Sequence, residues 1–231
     1  MIFQPPMPYL RSYDQCGFTL VEMAVVLVIA GLMLGGLLMP LSAQRAMKDY
    51  SEVKTQLEQI RDALYGYAII NGTLPCPTST PDPADNVNYG HAAASCAAPS
   101  QDWYLPWKDL GVAETDPWGN SRQRPTDGWS GHWVYRVDPA FATTGTPFSL
   151  ATSPTANLDL QKSDGTSLTI STERAVAVIC STGKDRTANG QNASFNNIYQ
   201  SDAMSPTFDD VCIWLTRPQL FNRMVAAGKL P

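Results

Sequence analysis

The sequence lacks any run of basic residues. Its 231 residues include 16 lysines and arginines against 21 aspartates and glutamates, a net charge of −5, and its isoelectric point is about 4.9. Nucleic-acid binding depends on clustered positive charge that neutralises phosphates. The composition therefore gives no support to a nucleic-acid partner.

Recognisable catalytic motifs are also missing. The chain has no G-x-S-x-G serine, no glycine-rich phosphate loop and no C-x-x-C pair, the local signatures of hydrolases, nucleotide-binding enzymes and many metal sites. The two histidines, His91 and His132, are isolated in the sequence. We therefore predict that the protein is not an enzyme and requires no cofactor.

The chain does contain a long apolar run with a carboxylate at its start. Glu22 directly precedes the segment 23–41, which is long enough to span a bilayer by the usual criterion of about 18 apolar residues. An ionisable group in such a segment costs on the order of 2.5–3.5 kcal/mol, so its default interpretation is functional. Cleavage after Gly17 would create a new amino terminus at Phe18, whose ammonium group in a neighbouring copy could neutralise Glu22.

The string G-F-T-L-V-E at 17–22, with the apolar run to about Leu41, resembles the class III signal of type IV pilins and of type II secretion pseudopilins. The resemblance implies that a prepilin peptidase cleaves between Gly17 and Phe18 and N-methylates Phe18. It also implies that Glu22 aligns each incoming subunit. Either Met1 or Met7 could start the leader.

The same resemblance implies a domain organisation and a set of partners. Residues 1–17 would be the leader, 18–41 the membrane and polymerisation half of a helix, 42–71 its amphipathic half, and 72–231 a periplasmic or extracellular head. The partners would be prepilin peptidase, other pilin or pseudopilin subunits, a platform membrane protein and an ATPase. We expect a minor or specialised subunit, stored in the bacterial inner membrane and then assembled into a pilus, a periplasmic type II secretion pseudopilus or a DNA-uptake filament.

Two other interpretations of the apolar run remain open. A secretory signal cleaved near Ala43 would normally have a shorter apolar region and small residues before the cut, whereas Leu41 lies two positions earlier. A plain membrane anchor would leave Glu22 unexplained, and it would carry a non-polymerising module that binds carbohydrate or calcium. Arg45 and Lys48 follow the run, which disfavours the pilin orientation by the positive-inside rule.

Four cysteines follow the apolar run, an even number in a chain that this run directs outward. Two disulfides are the natural interpretation, with three possible connectivities. We prefer Cys76–Cys96, which would close a loop rich in Pro, Ala and Asn, and Cys180–Cys212, which would join two predicted strands.

Hydrophobic periodicity predicts one helix from about Phe18 to Ile70. Apolar residues recur at spacings of three and four and make one amphipathic stripe: Val53, Leu57, Ile60, Leu64, Tyr67 and Ala68. A kink or local melting is expected at Gly35, Gly36 and Pro40. Asn71-Gly72 should end the helix with a left-handed residue.

The rest of the chain predicts an α+β pilin fold, with the helix packed on an antiparallel sheet. Strands are expected at 132–137, 167–171, 175–181 and 211–215. The string D-P-W-G-N at 116–120, a turn in which Gly119 should have a positive φ, resembles the turn before a strand in major pseudopilins. A capping box from Thr216 to Gln219 should start a last helix that stops at Gly228.

The loop between the last two strands is rich in Asn and Asp, which supply the oxygen ligands that calcium prefers. Its candidates are Asp185, Asn189, Asn192, Asp202, Asp209 and Asp210. Major pseudopilins bind calcium in a loop at a comparable place, so Asp185, Asp209 and Asp210 are the best candidates, with a merely solvated loop as the alternative. The six tryptophans suggest carbohydrate binding as a further hypothesis, although such rings more often fill a core.

Overall fold

The computed structural model describes residues 17, 19–78, 87–96, 103–124, 126–142, 146–194 and 196–230, without the side chains of 34–43. Contacts divide the chain into two compact units, Met1–Met47 and Lys48–Pro231. The predicted leader residues 1–16 and Phe18 lie outside the described residues. The second unit contains the predicted head, 72–231, together with the preceding helical residues from Lys48, and it is called the head domain below. It is α+β, which confirms the predicted fold class at that level.

The first helix, α1, spans Leu20–Asn71. The helix continues through Pro40, so the local melting expected there is not observed. It ends as predicted, because Gly72 has a φ of +73° and its N–H donates to the carbonyl of Ala68 at 2.8 Å. Among the residues that the structure describes, no helix combines the length and the apolarity needed to cross a membrane.

The second half of α1 supplies one wall of the core. Val53, Leu57, Ile60, Leu64 and Ala68 are at most 1% exposed, which confirms the predicted stripe for these positions. Tyr67 was expected in the same stripe but is only half-buried. The neighbouring Tyr65 is buried instead.

A four-stranded antiparallel sheet, in the order β1-β2-β4-β6, faces this helix. Its strands are β1 (Trp103–Tyr104), β2 (Val134–Val137), β4 (Ala175–Ser181) and β6 (Val211–Thr216). β4 was predicted with its observed bounds, β6 is one residue longer than predicted, and β2 begins two residues later. Every residue of β4 is buried, as expected for a central strand covered on both faces.

The strand predicted at 167–171 is wrong. Ser167 and Ile170 make only isolated bridges, and the hydroxyls of Ser167 and Thr169 donate to the carboxylate of Asp159. Side-chain hydrogen bonds of this kind compete with a strand ladder. Asp159 instead begins β3 (Asp159–Gln161), which pairs in parallel with β5 (Ile198–Gln200), a small second sheet that periodicity did not indicate.

Both preferred disulfides are present. Cys76–Cys96 closes the loop that follows α1, and Cys180–Cys212 joins β4 to β6. Cys180 and Cys212 are direct partners in the antiparallel register, so the second bond links strands that the ladder already holds side by side.

The D-P-W-G-N segment forms the predicted turn, but its glycine is required for close packing instead of for a positive φ. The N–H of Gly119 donates to the carbonyl of Asp116 at 3.1 Å, but the positive φ belongs to Gly131, at +78°. A Cβ on Gly119 would lie 2.8 Å from the carbonyl oxygen of Gly131. Gly119 is therefore required by close approach of two backbone segments, and the positive φ expected for it is corrected.

Two short helices complete the head domain, α2 (Trp107–Leu110) and α3 (Arg217–Ala226). Thr216 is the N-cap of α3 but makes no side-chain capping bond, so the predicted capping box is not formed. The stop at Gly228 is confirmed by its φ of +68° and by the bond from Lys229 N–H to the carbonyl of Met224.

Candidate processing and assembly site

The predicted processing site lies just before α1. Gly17 is exposed, and a Cβ placed on it would have no atom within 4 Å. Phe18, on the other side of the predicted cut, lies outside the described residues. Glu22 lies in the first turn of α1 and is exposed.

Glu22 takes part in a capping box that the sequence analysis missed. The amide N–H of Glu22 donates to the hydroxyl of Thr19 at 3.2 Å, and the amide N–H of Thr19 donates to the Glu22 carboxylate at 3.4 Å. This reciprocal pair satisfies two orphan donors at the helix start. The T-x-x-E spacing of Thr19 to Glu22 was the available signal. The carboxylate is thereby held at the positive end of the helix dipole, where an anion is stabilised.

An exposed apolar surface begins two residues before Glu22 and continues along the helix. Its side chains are between 47% and 87% exposed: Leu20, Val21, Met23, Val25, Val26, Leu27, Val28, Ile29, Leu32 and Met33. Contiguous exposed apolar surface of this kind marks an interaction with lipid or with another protein. The carboxylate of Glu22 lies at the first turn of this surface.

The structure brings the three calcium candidates into one cluster in the head domain. The Oδ2 atom of Asp209 accepts from the amide N–H groups of Lys184 and Asp185, at 2.7 and 3.1 Å. Asn189 joins the cluster by donating its side-chain amide to Asp185 at 3.1 Å. The amide N–H of Asn189 donates to Asp210 Oδ2 at 2.8 Å.

Two carboxylate oxygens of this cluster are buried without a partner, Asp209 Oδ1 and Asp210 Oδ1. Burial, together with the negative charges of Asp209 and Asp185, raises the pKa of Asp210 to about 6. Among the described residues, no three His, Cys, Asp or Glu side chains converge closely enough to hold a metal alone. A cation here would therefore need amide, carbonyl or water oxygens as well.

Five of the six tryptophans lie against neighbouring groups of the head domain. Trp107 and Trp133 are buried. Trp129 stacks on the ring of Tyr104, with 3.9 Å between the ring centroids. The guanidinium of Arg122 lies over the Trp129 ring, 4.3 Å from its centroid. Trp118 packs against the core that contains the α1 stripe, and Trp214 packs against a second cluster of buried residues that includes Leu158 and Val178. These contacts favour a structural role for the rings over an open carbohydrate platform.

Glu114 links the disulfide-closed loop to the strand region. It accepts from the Tyr89 hydroxyl at 2.6 Å and lies 3.0 Å from His132 Nε2. Burial alone would raise the pKa of Glu114, but hydrogen bonds from Tyr89, His132 and Ser121 outweigh it and leave the pKa below its ordinary value. Burial lowers the pKa of His132, so the folded chain favours the neutral imidazole.

Comparison with known proteins identifies one region of the chain. Residues 13–38 match the family model described as the prokaryotic N-terminal methylation motif. No curated protein and no solved structure matches the chain. The motif supports the type IV pilin and pseudopilin family for this chain, with N-methylation as its processing chemistry, and it indicates a structural subunit rather than an enzyme.

Proposed function

We propose that the chain is a type IV pilin-like subunit, processed between Gly17 and Phe18 and assembled into a filament. The observation that carries the proposal is the methylation motif over residues 13–38, which includes Gly17, Phe18 and Glu22. The exposed apolar surface around and beyond Glu22 supports it, because such a surface requires lipid or other helices around it.

Glu22 is the proposed assembly residue. Its carboxylate is exposed at the first turn of α1, so an ammonium group from another copy could approach it. The Phe18 amino terminus of a neighbouring processed copy has the complementary charge. In a medium of low dielectric constant this pairing would offset the cost of placing the carboxylate among apolar side chains.

Assembly would use heterologous contacts, which leave an open helical polymer. Prepilin peptidase would mature the chain, and a platform membrane protein and an ATPase would drive its assembly with other pilin or pseudopilin subunits. The chain would be stored in the inner membrane with its head domain in the periplasm. It would then enter a pilus, a type II secretion pseudopilus or a DNA-uptake filament as a minor or specialised subunit.

The deciding experiment is the mass of the amino-terminal peptide of the protein isolated from native membranes and from sheared filaments. We expect a chain that begins at N-methylated Phe18. A chain that begins at Met1 or Met7 would instead identify a membrane anchor, and a start after Ala43 would identify a secreted domain. Either of these results would overturn the proposal.

The role of Glu22 can be separated from its capping role by three variants. Glu22→Gln removes the charge but keeps an acceptor for the capping box, Thr19→Ala removes the cap but keeps the charge, and Glu22→Ala removes both. We expect sheared filaments from Thr19→Ala but none from the two Glu22 variants, at equal membrane abundance. Normal filaments from Glu22→Gln would show that its charge does not align subunits.

We also propose a calcium site at Asp185, Asp209 and Asp210. The supporting observation is the pair of buried carboxylate oxygens without partners, Asp209 Oδ1 and Asp210 Oδ1, since buried polar atoms are normally satisfied. Bound calcium would supply positive charge to these oxygens, and Asn side chains, carbonyls and water would complete its coordination.

The calcium proposal is tested by the melting temperature of the chelator-treated protein with and without added calcium. We expect a rise for the unaltered chain, no rise for Asp209→Asn, and an undiminished rise for the control Asp164→Asn, an exposed aspartate outside the cluster. An unaltered chain that does not respond to calcium would disprove the site.

A further inference from the structure

A cleft of about 710 Å³ lies between the last turns of α1, the helix α2 and the loop closed by the Cys76–Cys96 disulfide. Its volume falls in the range of roughly 300–1,000 Å³ that small-molecule sites occupy. The lining combines apolar side chains, such as Ala63, Leu74 and Leu110, with a few polar ones. The cleft lies wholly within the head domain, so a ligand site here does not depend on filament assembly.

Gly66 leaves open space on the α1 side of this cleft. It is a helical residue that lines the cleft and is half-buried, yet a Cβ built on it would meet no described atom within 4 Å. Glycine in the interior of a helix costs stability relative to alanine. Neither a positive φ nor close packing against the described residues requires glycine here. The space beside Gly66 is therefore available to an occupant from outside the chain.

Asp109 carries the one formal charge among the described lining residues. Its Oδ2 atom accepts from the amide N–H of Ala92 at 2.5 Å, and its Oδ1 atom lies 2.6 Å from His91 Nδ1. These contacts fix the carboxylate in the wall of the cleft, while its side chain remains 26% exposed. Each carboxylate oxygen offers two acceptor positions. The carboxylate is therefore held in place with acceptor capacity left for a ligand.

Tyr67 brings an aromatic ring to the same cleft. Burial, together with the negative charge of Asp109, raises the pKa of the Tyr67 hydroxyl, so this side chain stays neutral. The face of an aromatic ring attracts a cation, as a carboxylate does. Ile70, about one turn later on α1, adds apolar surface that is 78% exposed. The cleft thus combines a negative charge, an aromatic ring and apolar walls.

We propose that this cleft binds a small organic cation, an ammonium group carried on an apolar body. The ammonium would pair with Asp109 beside the ring of Tyr67, and the apolar body would cover Gly66 and contact Leu74 and Leu110. A neutral ligand would cover the carboxylate without a counter-charge, which costs free energy, and an anion would be repelled by it. The charge of the lining therefore selects the class of ligand.

The test is ligand-observed NMR saturation transfer with benzylammonium, and benzyl alcohol serves as the neutral probe of the same shape. Titrations use the full, disulfide-intact chain in detergent micelles at about pH 7. We expect saturable binding of benzylammonium, and binding of benzyl alcohol that is roughly tenfold weaker because the alcohol lacks the charge that Asp109 and Tyr67 attract.

Two variants separate the shape of the cleft from its charge. Gly66→Leu fills the cleft and should abolish saturable binding of both probes without lowering the melting temperature, since leucine favours a helix more than glycine does. Asp109→Asn keeps an oxygen acceptor for Ala92 N–H and should remove the preference for the ammonium while alcohol binding persists. Gln59→Leu and Asp62→Asn, at exposed α1 positions outside the cleft, should leave both affinities unchanged.

Four results would overturn the proposed site. Equal affinity of the unaltered chain for the two probes would show that charge does not select the ligand. A loss of both probes in Asp109→Asn would show that this residue only holds the loop. Undiminished binding to Gly66→Leu would place the probes in the micelle or elsewhere on the chain, and a lower melting temperature of this variant would show that the space beside Gly66 is not free.

Discussion

Replacing Gly131 with alanine tests the close backbone packing beside the Asp116 turn. At a φ of +78°, an added Cβ would overlap the Cα of Gly119 and lie 2.7 Å from its backbone nitrogen. The left-handed conformation alone costs an L-residue about 1–2 kcal/mol. Overlap with backbone atoms, which no rotamer change relieves, adds about 1–3 kcal/mol. We therefore expect Gly131→Ala to lower the free energy of unfolding by about 2–5 kcal/mol.

Gly111→Ala is the matched control. Gly111 also has a positive φ, +66°, but a Cβ there would meet nothing within 4 Å. Gly111→Ala should therefore lower the free energy of unfolding only by the cost of the left-handed conformation, about 1–2 kcal/mol. Urea unfolding of the purified, disulfide-intact chain, followed by tryptophan fluorescence, measures both losses. Equal losses for the two variants would refute the close approach of Gly119 and Gly131.

Three further predictions concern the head domain. Burial depresses the pKa of His132 below its ordinary value of 6.5, so the free energy of unfolding should fall as the pH drops below 6.5 and the unfolded chain takes up a proton first. In urea unfolding from pH 7.5 to 5, the free energy of unfolding should decline less steeply for His132→Gln. An equal decline with pH for the two chains would contradict this. Replacing Cys76 and Cys96 together by serine should cost about 3 kcal/mol for their sequence separation of 20, measured by the same assay against the unaltered oxidised chain, and no loss would show that the bond is dispensable. Leu57 is fully buried, so Leu57→Ala should lower the free energy of unfolding by about 2–5 kcal/mol. Gln59→Ala, at an exposed position, should change it by no more than about 0.5 kcal/mol. Similar losses for the two variants would place Leu57 outside the core.

Local pattern predicted those parts of the fold in which one signal dominates. The stripe from Val53 to Ala68 has a helical period over many residues, and the β-branched run of β4 lies between turn-forming residues. Both were recovered because burial and propensity agree there. The pairing of Cys180 with Cys212 was predicted because the two cysteines lie in the predicted strands β4 and β6.

The failures occur where tertiary contacts override a local pattern. Residues 167–171 have strand-like composition, but Ser167 and Thr169 bond to Asp159 instead of joining a ladder. The parallel pairing of β3 with β5 involves three residues on each side, too short a signal to separate from loop. Its partners are distant in sequence, so nothing local specifies them.

The candidate site residues were predicted from the chemical character of their side chains more than from any expected backbone conformation. A carboxylate at the start of an apolar run indicated Glu22, which lies within the region matched by the methylation motif, and its role in assembly stays a prediction. The Asn/Asp-rich loop suggested Asp209 and Asp210, but only the coordinates show which oxygens lack partners. The capping role of Thr19 was readable from its T-x-x-E spacing with Glu22.

The parallel pair β3–β5 has a consequence for how firmly the cluster of Asp185, Asp209 and Asp210 is held. Each strand contributes only three residues to the pair, whereas the central strand β4 has seven residues and pairs on both sides. The short pair should therefore open more readily under native conditions, and its amides should exchange with solvent sooner than those of β4. The amide N–H of Gln200, at the end of β5, donates to the side-chain oxygen of Asn192, whose side-chain amide donates to Asp210. Opening of β5 should therefore loosen the carboxylate cluster without unfolding the main sheet.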